Sequence, residues 1–205
     1  MHIYRSYEQK QYKNQKINDM ANSWVSSLVS HPIGARFVYY PTLLYGILRE
    51  TQGRHWYNRI DNKVLLGALP LYKKAKEIVE KENVGGVITL NENYETRFLC
   101  PTTEEWNSMN VRHLRIPTVD FNNAPTLGQI HEAIAFIDEI EPSKSIYVHC
   151  KAGRSRSSVV VISYLMAKHT QNVDSSIEMV KEKRPHIVLA SEHIKRLKEF
   201  SKTLP

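Results

Sequence analysis

From residue 63 onward, apolar positions fall into short solid runs and helical stripes that follow one another in turn. Lys63-Val-Leu-Leu-Gly-Ala-Leu69 predicts a strand. Tyr72 to Asn83 sets Ala75, Ile78 and Val79 at helical spacing among charges and predicts an amphipathic helix. Gly86-Val-Ile-Thr-Leu90 predicts a short buried strand, and Thr102-Thr-Glu-Glu-Trp-Asn-Ser-Met109 opens with a cap residue and two acids, a helix-start signal. Val111 to Ile116 alternates as a strand does, and Pro117 to Pro125 is a loop containing Asp120. Thr126 caps a helix with Ile130, Ala133, Ile134 and Ile137 on one face, and Ser145-Ile-Tyr-Val-His149 predicts a strand. Helices are expected from near Arg156, over 174–183 and over 191–201. By propensity alone Val159-Val-Val-Ile162 favours a strand, but a buried helix facing a sheet overrides that preference. Strands alternating with helices imply an α/β domain with helices covering a central sheet.

Residues before 61 follow a different pattern. They hold 8 basic and 3 acidic side chains and 10 of the chain's 19 aromatics, whereas residues 61–205 hold 20 basic and 18 acidic. Three segments are therefore expected: a 1–35 extension, a 36–60 membrane-proximal or domain-packing segment, and a 61–202 domain. Arg5, Lys10, Lys13 and Lys16 give the extension some presequence character, against which Glu8 and Asp19 count. Phe37 to Leu48 is the most apolar stretch, but its 12 residues lie between Arg36 and Arg49 and contain Pro41. That is short of the roughly 20 needed to span a bilayer. It suits either a surface-lying anchor in which Arg36, Arg49, Arg54 and Arg59 bracket aromatics including Trp56 and Tyr57, or packing under the sheet.

The overall composition, 41% hydrophobic and 24% charged over 205 residues, excludes disordered, collagen-like and low-complexity classes. Two cysteines exclude a disulfide scaffold and leave a thiol for chemistry. One of them opens the informative stretch His149-Cys-Lys-Ala-Gly-Arg-Ser-Arg-Ser157. Lys151, Ala152, Gly153, Arg154 and Ser155 can wrap a loop whose N–H groups point inward, a cradle for a phosphate dianion. Gly153 permits the tight turn, and the following helix offers its positive end to the same anion. Arg156 can grip two phosphate oxygens with its planar fork. The same field favours thiolate at Cys150, making it a nucleophile beneath bound phosphate. Ser157 and Ser155 can donate to the sulfur, and His149 organises the loop. Cys100 is read as a buried structural thiol rather than a redox partner.

This stretch resembles the signature of the cysteine-dependent protein-tyrosine and dual-specificity phosphatases. That resemblance implies a dual-specificity-type α/β fold, a central mixed sheet flanked by helices. It also implies a general acid some 30 residues upstream on a loop after a strand, which Asp120 matches. Asp138, mid-helix, and Asp61, remote, compete poorly. Lys183-Arg-Pro-His-Ile187 resembles the Arg-Pro segment that packs near the phosphate loop.

Tyr40-Pro-Thr-Leu-Leu-Tyr45, Trp56-Tyr-Asn-Arg-Ile-Asp61, Leu65-Leu-Gly-Ala-Leu-Pro70, Gly86-Val-Ile-Thr89 and Asn93-Tyr-Glu-Thr-Arg-Phe-Leu99 narrow the resemblance to the mitochondrial phosphatidylglycerophosphate phosphatases. The resemblance implies a lipid substrate, a place on the matrix face of the inner mitochondrial membrane, and a step in cardiolipin synthesis. Asn93 stands where that pattern has an acid. Lys151 and Arg154 add rim cations suited to a substrate with two phosphates, and the expected partner is an anionic phospholipid surface bound peripherally. No metal-ligand spacing occurs, and the chemistry calls for no metal or cofactor. The same chemistry could act on a phosphoprotein or an RNA 5′ phosphate. No nucleic-acid partner is expected, because the basic excess accompanies membrane-suited aromatics rather than an arginine-rich patch.

Overall fold

The computed structural model describes residues 55–204, apart from 121 and 170. Five strands form one sheet there: β1 (Tyr57–Arg59), β2 (Val64–Gly67), β3 (Val84–Thr89), β4 (Arg112–Arg115) and β5 (Ser145–His149), in the order β1-β2-β5-β3-β4. β1 runs antiparallel to β2 and the remaining pairs are parallel, so the sheet is mixed as expected. The helices are α1 (Tyr72–Glu82), α2 (Asn93–Thr96), α3 (Thr103–Ser108), α4 (Leu127–Glu139), α5 (Arg156–His169), α6 (Val173–Lys183) and α7 (Ser191–Ser201).

Local chemistry sets several of the helix starts. Thr102 and Glu105 cap α3 reciprocally, Thr126 and Gln129 do the same for α4, and the Asn172 side chain accepts from Ser175 N–H at α6. Asn83 ends α1 in the left-handed region, with φ of 50°.

The two-residue period of the strands sorts the core. Val64, Leu66, Ile88, Ile146 and Val148 join one apolar cluster with Ile130, Val160, Ile162, Leu197 and Phe200 from α4, α5 and α7. Leu65, Val87 and Tyr147 lie in register on adjacent strands and alternate to the other face. There α1 lies along β3 and α3 along β4, and their buried residues Ala75, Ile78 and Trp106 stay outside that cluster. Both faces being covered, the inner strands carry solid apolar runs rather than alternation. The Val159–Ile162 run is helical because every residue from Arg156 to Met166 is buried, and packing against the sheet outweighs β-branched preference.

Two expectations need correction. The boundary at residue 61 falls inside a hairpin, because Tyr57 pairs with Gly67 and Arg59 with Leu65. Trp56 and Tyr57 therefore join the sheet's edge, which at this end of the 36–60 segment is the domain-packing alternative. The Tyr57 hydroxyl donates to Glu82 at 2.8 Å, its ring meets Tyr147 edge-on, and Arg59 pairs with Glu82 at 2.7 Å. The rest of the 36–54 segment lies outside the described residues. The second correction is α2, a short helix that the pattern leaves as loop.

Because β2, β3, β4 and β5 are parallel, their carboxyl ends share one edge, and the loops carrying Cys150, Glu95 and Asp120 all leave from it. Packing there is tight. The Tyr147 hydroxyl donates to Ala68 O at 2.6 Å, across the space a Cβ at position 67 would take. Gly67→Ala should lower stability by about 1–3 kcal/mol, as overpacking does. Gly128→Ala, in open space within α4, should raise it by about 0.5–1 kcal/mol. Urea denaturation of the two variants checks both signs.

Candidate active site

Cys150 follows the last residue of β5 and is 2% exposed. Between it and α5, residues 151–155 form a loop whose turn is made at Gly153, with φ of 63°. A Cβ at Gly153 would overlap the Gly67 carbonyl, so the loop lies directly against the end of β2. Leu69 N–H donates to Lys151 O at 3.2 Å, closing the same seam.

Arg184 clamps the loop from outside. Its guanidinium is buried and donates to Gly153 O at 2.7 Å, Ala152 O at 3.1 Å and Asn58 Oδ1 at 2.6 Å. This is the residue of the Arg-Pro segment expected near the loop. The following turn adds Val188 N–H to Arg154 O at 2.8 Å, and Arg154 Nε donates to His186 O at 2.8 Å.

The structure brings the expected residues Cys150, Arg156, Asp120 and Lys151 together. Ser157 Oγ donates to Cys150 Sγ at 3.2 Å, whereas Ser155 accepts Val159 N–H through its carbonyl. Burial alone would push the Cys150 thiol up. The Arg156 charge and hydrogen bonds from the Ser157 side chain and backbone outweigh it, leaving the thiol below its ordinary value. Cys100 shows the contrast: it is buried without such partners and pushed up to about 12.

Arg156 is fully buried at the first position of α5. Glu95 grips it with both oxygens, at 2.7 and 3.1 Å, and Thr118 O accepts from Nη1 at 2.8 Å. Asp120 lies 3.0 Å from Nη2 and 4.0 Å from Lys151 Nζ. Burial opposes the charge on Arg156, but Glu95, Asp120 and Cys150 hold it firmly protonated. Arg156 Nε is buried with no hydrogen-bond partner among the described residues. It is the donor left over for an oxyanion.

The acids set aside earlier have structural duties. Asp61 accepts Lys63 and Val64 N–H at the start of β2, and Asp138 pairs with Lys168. The far end of the Asp120 loop is tied by buried His193. Its Nδ1 accepts Ala190 N–H, so its Nε2 donates to Asn123 O, 3.0 Å away. His149 is fully buried, with Nε2 2.8 Å from Thr89 Oγ1. Burial drives its pKa down to about 3, so the ring organises the loop as a neutral group and is no base at neutral pH.

Glu95 is the functional residue that sequence reasoning missed. Its only local signal is a helix-start pattern, in which Glu95 Oε1 accepts Glu92 N–H at 2.9 Å. Asn93, where an acid was expected, instead accepts from Arg115 at 2.9 Å. Among the described residues, no group of three His, Cys, Asp or Glu side chains could hold a metal, and no helix is long and apolar enough to cross a membrane.

Glu95→Ala should remove about 3–5 kcal/mol of stability, because the fully buried Arg156 charge loses its bidentate carboxylate and keeps only Asp120 and the Thr118 carbonyl. It should also weaken vanadate binding, since the fork would no longer be held. Thermal melts with and without vanadate check both effects.

Residues 70–203 match the model of the dual specificity phosphatase catalytic domain. The phosphatidylglycerophosphatase and protein-tyrosine phosphatase 1 of Rattus norvegicus is 46% identical over 175 residues, covering 83% of this chain and 91% of the rat protein. The phosphatidylglycerophosphate phosphatase PTPMT2 of Arabidopsis thaliana is 41% identical over 173 residues, covering 82% of this chain and 74% of the plant protein. The crystal structure of PTPMT1 in complex with PI(5)P superposes with a TM-score of 0.70 at 45% identity, covering 73% of this chain and 96% of that one. With a thiol, a buried guanidinium and an acid gathered in one loop-built cradle, this chain is a phosphoric monoester hydrolase and belongs to the dual specificity phosphatase family.

Proposed function

We propose that this protein hydrolyses the terminal phosphomonoester of phosphatidylglycerophosphate, yielding phosphatidylglycerol. The chemistry rests on one observation, the lowered Cys150 thiol set in the phosphate loop beside a buried Arg156 whose Nε has no partner among the described residues. The substrate rests on similarity to proteins named phosphatidylglycerophosphatases over most of their length and most of this chain. Lys151 and Arg154 add positive charge beside the phosphate seat, which suits a substrate bearing a second, diester phosphate.

In the proposed mechanism, Cys150 thiolate attacks phosphorus and the bond to the glycerol oxygen breaks. Arg156 and the loop amides hold the equatorial oxygens as charge builds. Asp120, as general acid, gives a proton to the departing oxygen. As carboxylate it then takes a proton from the water that hydrolyses the phosphocysteine, which restores both groups. Ser157 steadies the sulfur as it leaves.

We also propose cardiolipin synthesis on the matrix side of the inner mitochondrial membrane as the setting, with peripheral attachment. The motif resemblance and the basic, aromatic-rich residues before 55 support this setting. Flotation with cardiolipin vesicles at low and high salt tests the attachment; equal flotation with neutral vesicles would count against it.

Measuring kcat/KM in parallel on phosphatidylglycerophosphate vesicles, a tyrosine phosphopeptide and an RNA 5′ phosphate tests the substrate. The lipid should rank first, and a phosphopeptide preferred over every lipid would overturn the assignment. Asp120→Ala should slow the lipid reaction by about 10²–10⁴-fold while sparing an activated aryl phosphate, whose leaving group needs no proton. An equal loss on both substrates would remove Asp120 from the acid role.

A further inference from the structure

We infer that His113 is a positioning residue for the Cys150 loop, acting through Thr89 on His149 and anchored from outside by Thr103. Four side chains from three strands and a helix form a continuous chain. His149 Nε2 lies 2.8 Å from Thr89 Oγ1, Thr89 Oγ1 lies 2.9 Å from His113 Nε2, and His113 Nδ1 lies 3.0 Å from Thr103 Oγ1.

Sheet register builds this line. Thr89 on β3 pairs directly with His149 on β5, and His113 on β4 pairs with Val87, two residues back from Thr89. Alternation then sets positions 149, 89 and 113 on one face as direct and diagonal neighbours. Thr103 opens α3, and the Trp106 ring lies 6.2 Å from that of His113. Thr89 and His149 have no exposed surface.

Counting protons couples the two rings. A hydroxyl has one proton, so Thr89, lying between two ring nitrogens, donates to one and accepts from the other. Both rings are neutral. Burial brings His149 to about 3 and His113 to about 4, with Arg115 opposing a proton on either, Arg156 opposing one on His149, and Glu104 favouring one on His113. Of the two Nε2 atoms that face Thr89, one therefore carries a proton and the other does not, so the two rings take opposite tautomers.

No proton moves along this line. It holds His149 in one tautomer and one orientation, and His149 is bonded directly to Cys150. The role of His113 is thus to fix the peptide from which the thiolate and the loop's first amides project. This rests on Cys150 as the nucleophile and is independent of which phosphomonoester is preferred.

Long-range ¹H–¹⁵N NMR of the unmodified protein should find His149 and His113 in opposite tautomers, with one of the two protonated on Nε2 and the other on Nδ1. His113→Phe and Thr89→Val should each lower kcat/KM on an aryl phosphate roughly tenfold. Each should also raise the pH midpoint for iodoacetate alkylation of Cys150 by about one unit, the equivalent tenfold factor. The double variant should be no worse than either single, because both break one line. His113→Gln, whose amide both donates and accepts, should restore activity to within about threefold. The same tautomer on both rings would overturn the inference. So would a folded His113→Phe with the parent's alkylation profile, or a His113→Gln as impaired as His113→Phe. Should His113→Phe not fold, the tautomers of the unmodified protein decide alone. A phosphopeptide preference with these tautomers intact would overturn the lipid reading and leave this one standing.

Discussion

The buried guanidinium of Arg156 organises the rest of the site. Removing a charge from water is expensive, and the fold meets that expense with partners drawn from separate places in the chain. Glu95 comes from α2 after β3, and Thr118 and Asp120 come from the loop after β4. Satisfying one charge therefore sets the positions of two loops and of the acid together. The same charge outweighs the burial of Cys150 and keeps its thiol below the ordinary value.

A second guanidinium does complementary work on the outer side. Arg184 is held by carbonyls and by Asn58, so it ties the phosphate loop to the edge hairpin. The loop is then wedged between Arg184 and the end of β2, where only glycine fits at 67 and 153. One arginine faces the substrate and the other faces the scaffold, and the five loop residues between Cys150 and Arg156 are pinned from both directions. Such rigidity suits a cradle whose amides must already point at the oxyanion before it arrives.

Much of the architecture was legible because its signals are local. The Thr102 and Thr126 caps, the solid Ser145–His149 strand and the Cys150–Arg156 spacing each depend on residues within a few positions of one another. Asp120 was found through a family resemblance, and its proximity to Arg156 is consistent with that reading. For Trp56 and Tyr57 the sequence left anchor and domain packing open, because basic and aromatic composition looks alike on a membrane segment and on the edge of a sheet. Pairing of Tyr57 with Gly67 decides between them, and pairing is not written into composition.

The sequence by itself determined the α/β layering, the loop after β5, and the spacing of the Cys150 thiol that opens it and the arginine that closes it. Periodicity, capping and a short motif are properties of contiguous residues, and contiguous residues can be read in order. Tertiary structure alone decided that Glu95 would grip an arginine 61 positions away, and that His113, Thr89 and His149 would line up across three strands. Those contacts follow from sheet order, in which β5 inserts between β2 and β3, and from the burial that order creates. A carboxylate or an imidazole looks the same in sequence whether it ends in water or against a buried charge. Only the folded chain, by removing water from one side of it, gives it a partner it must have.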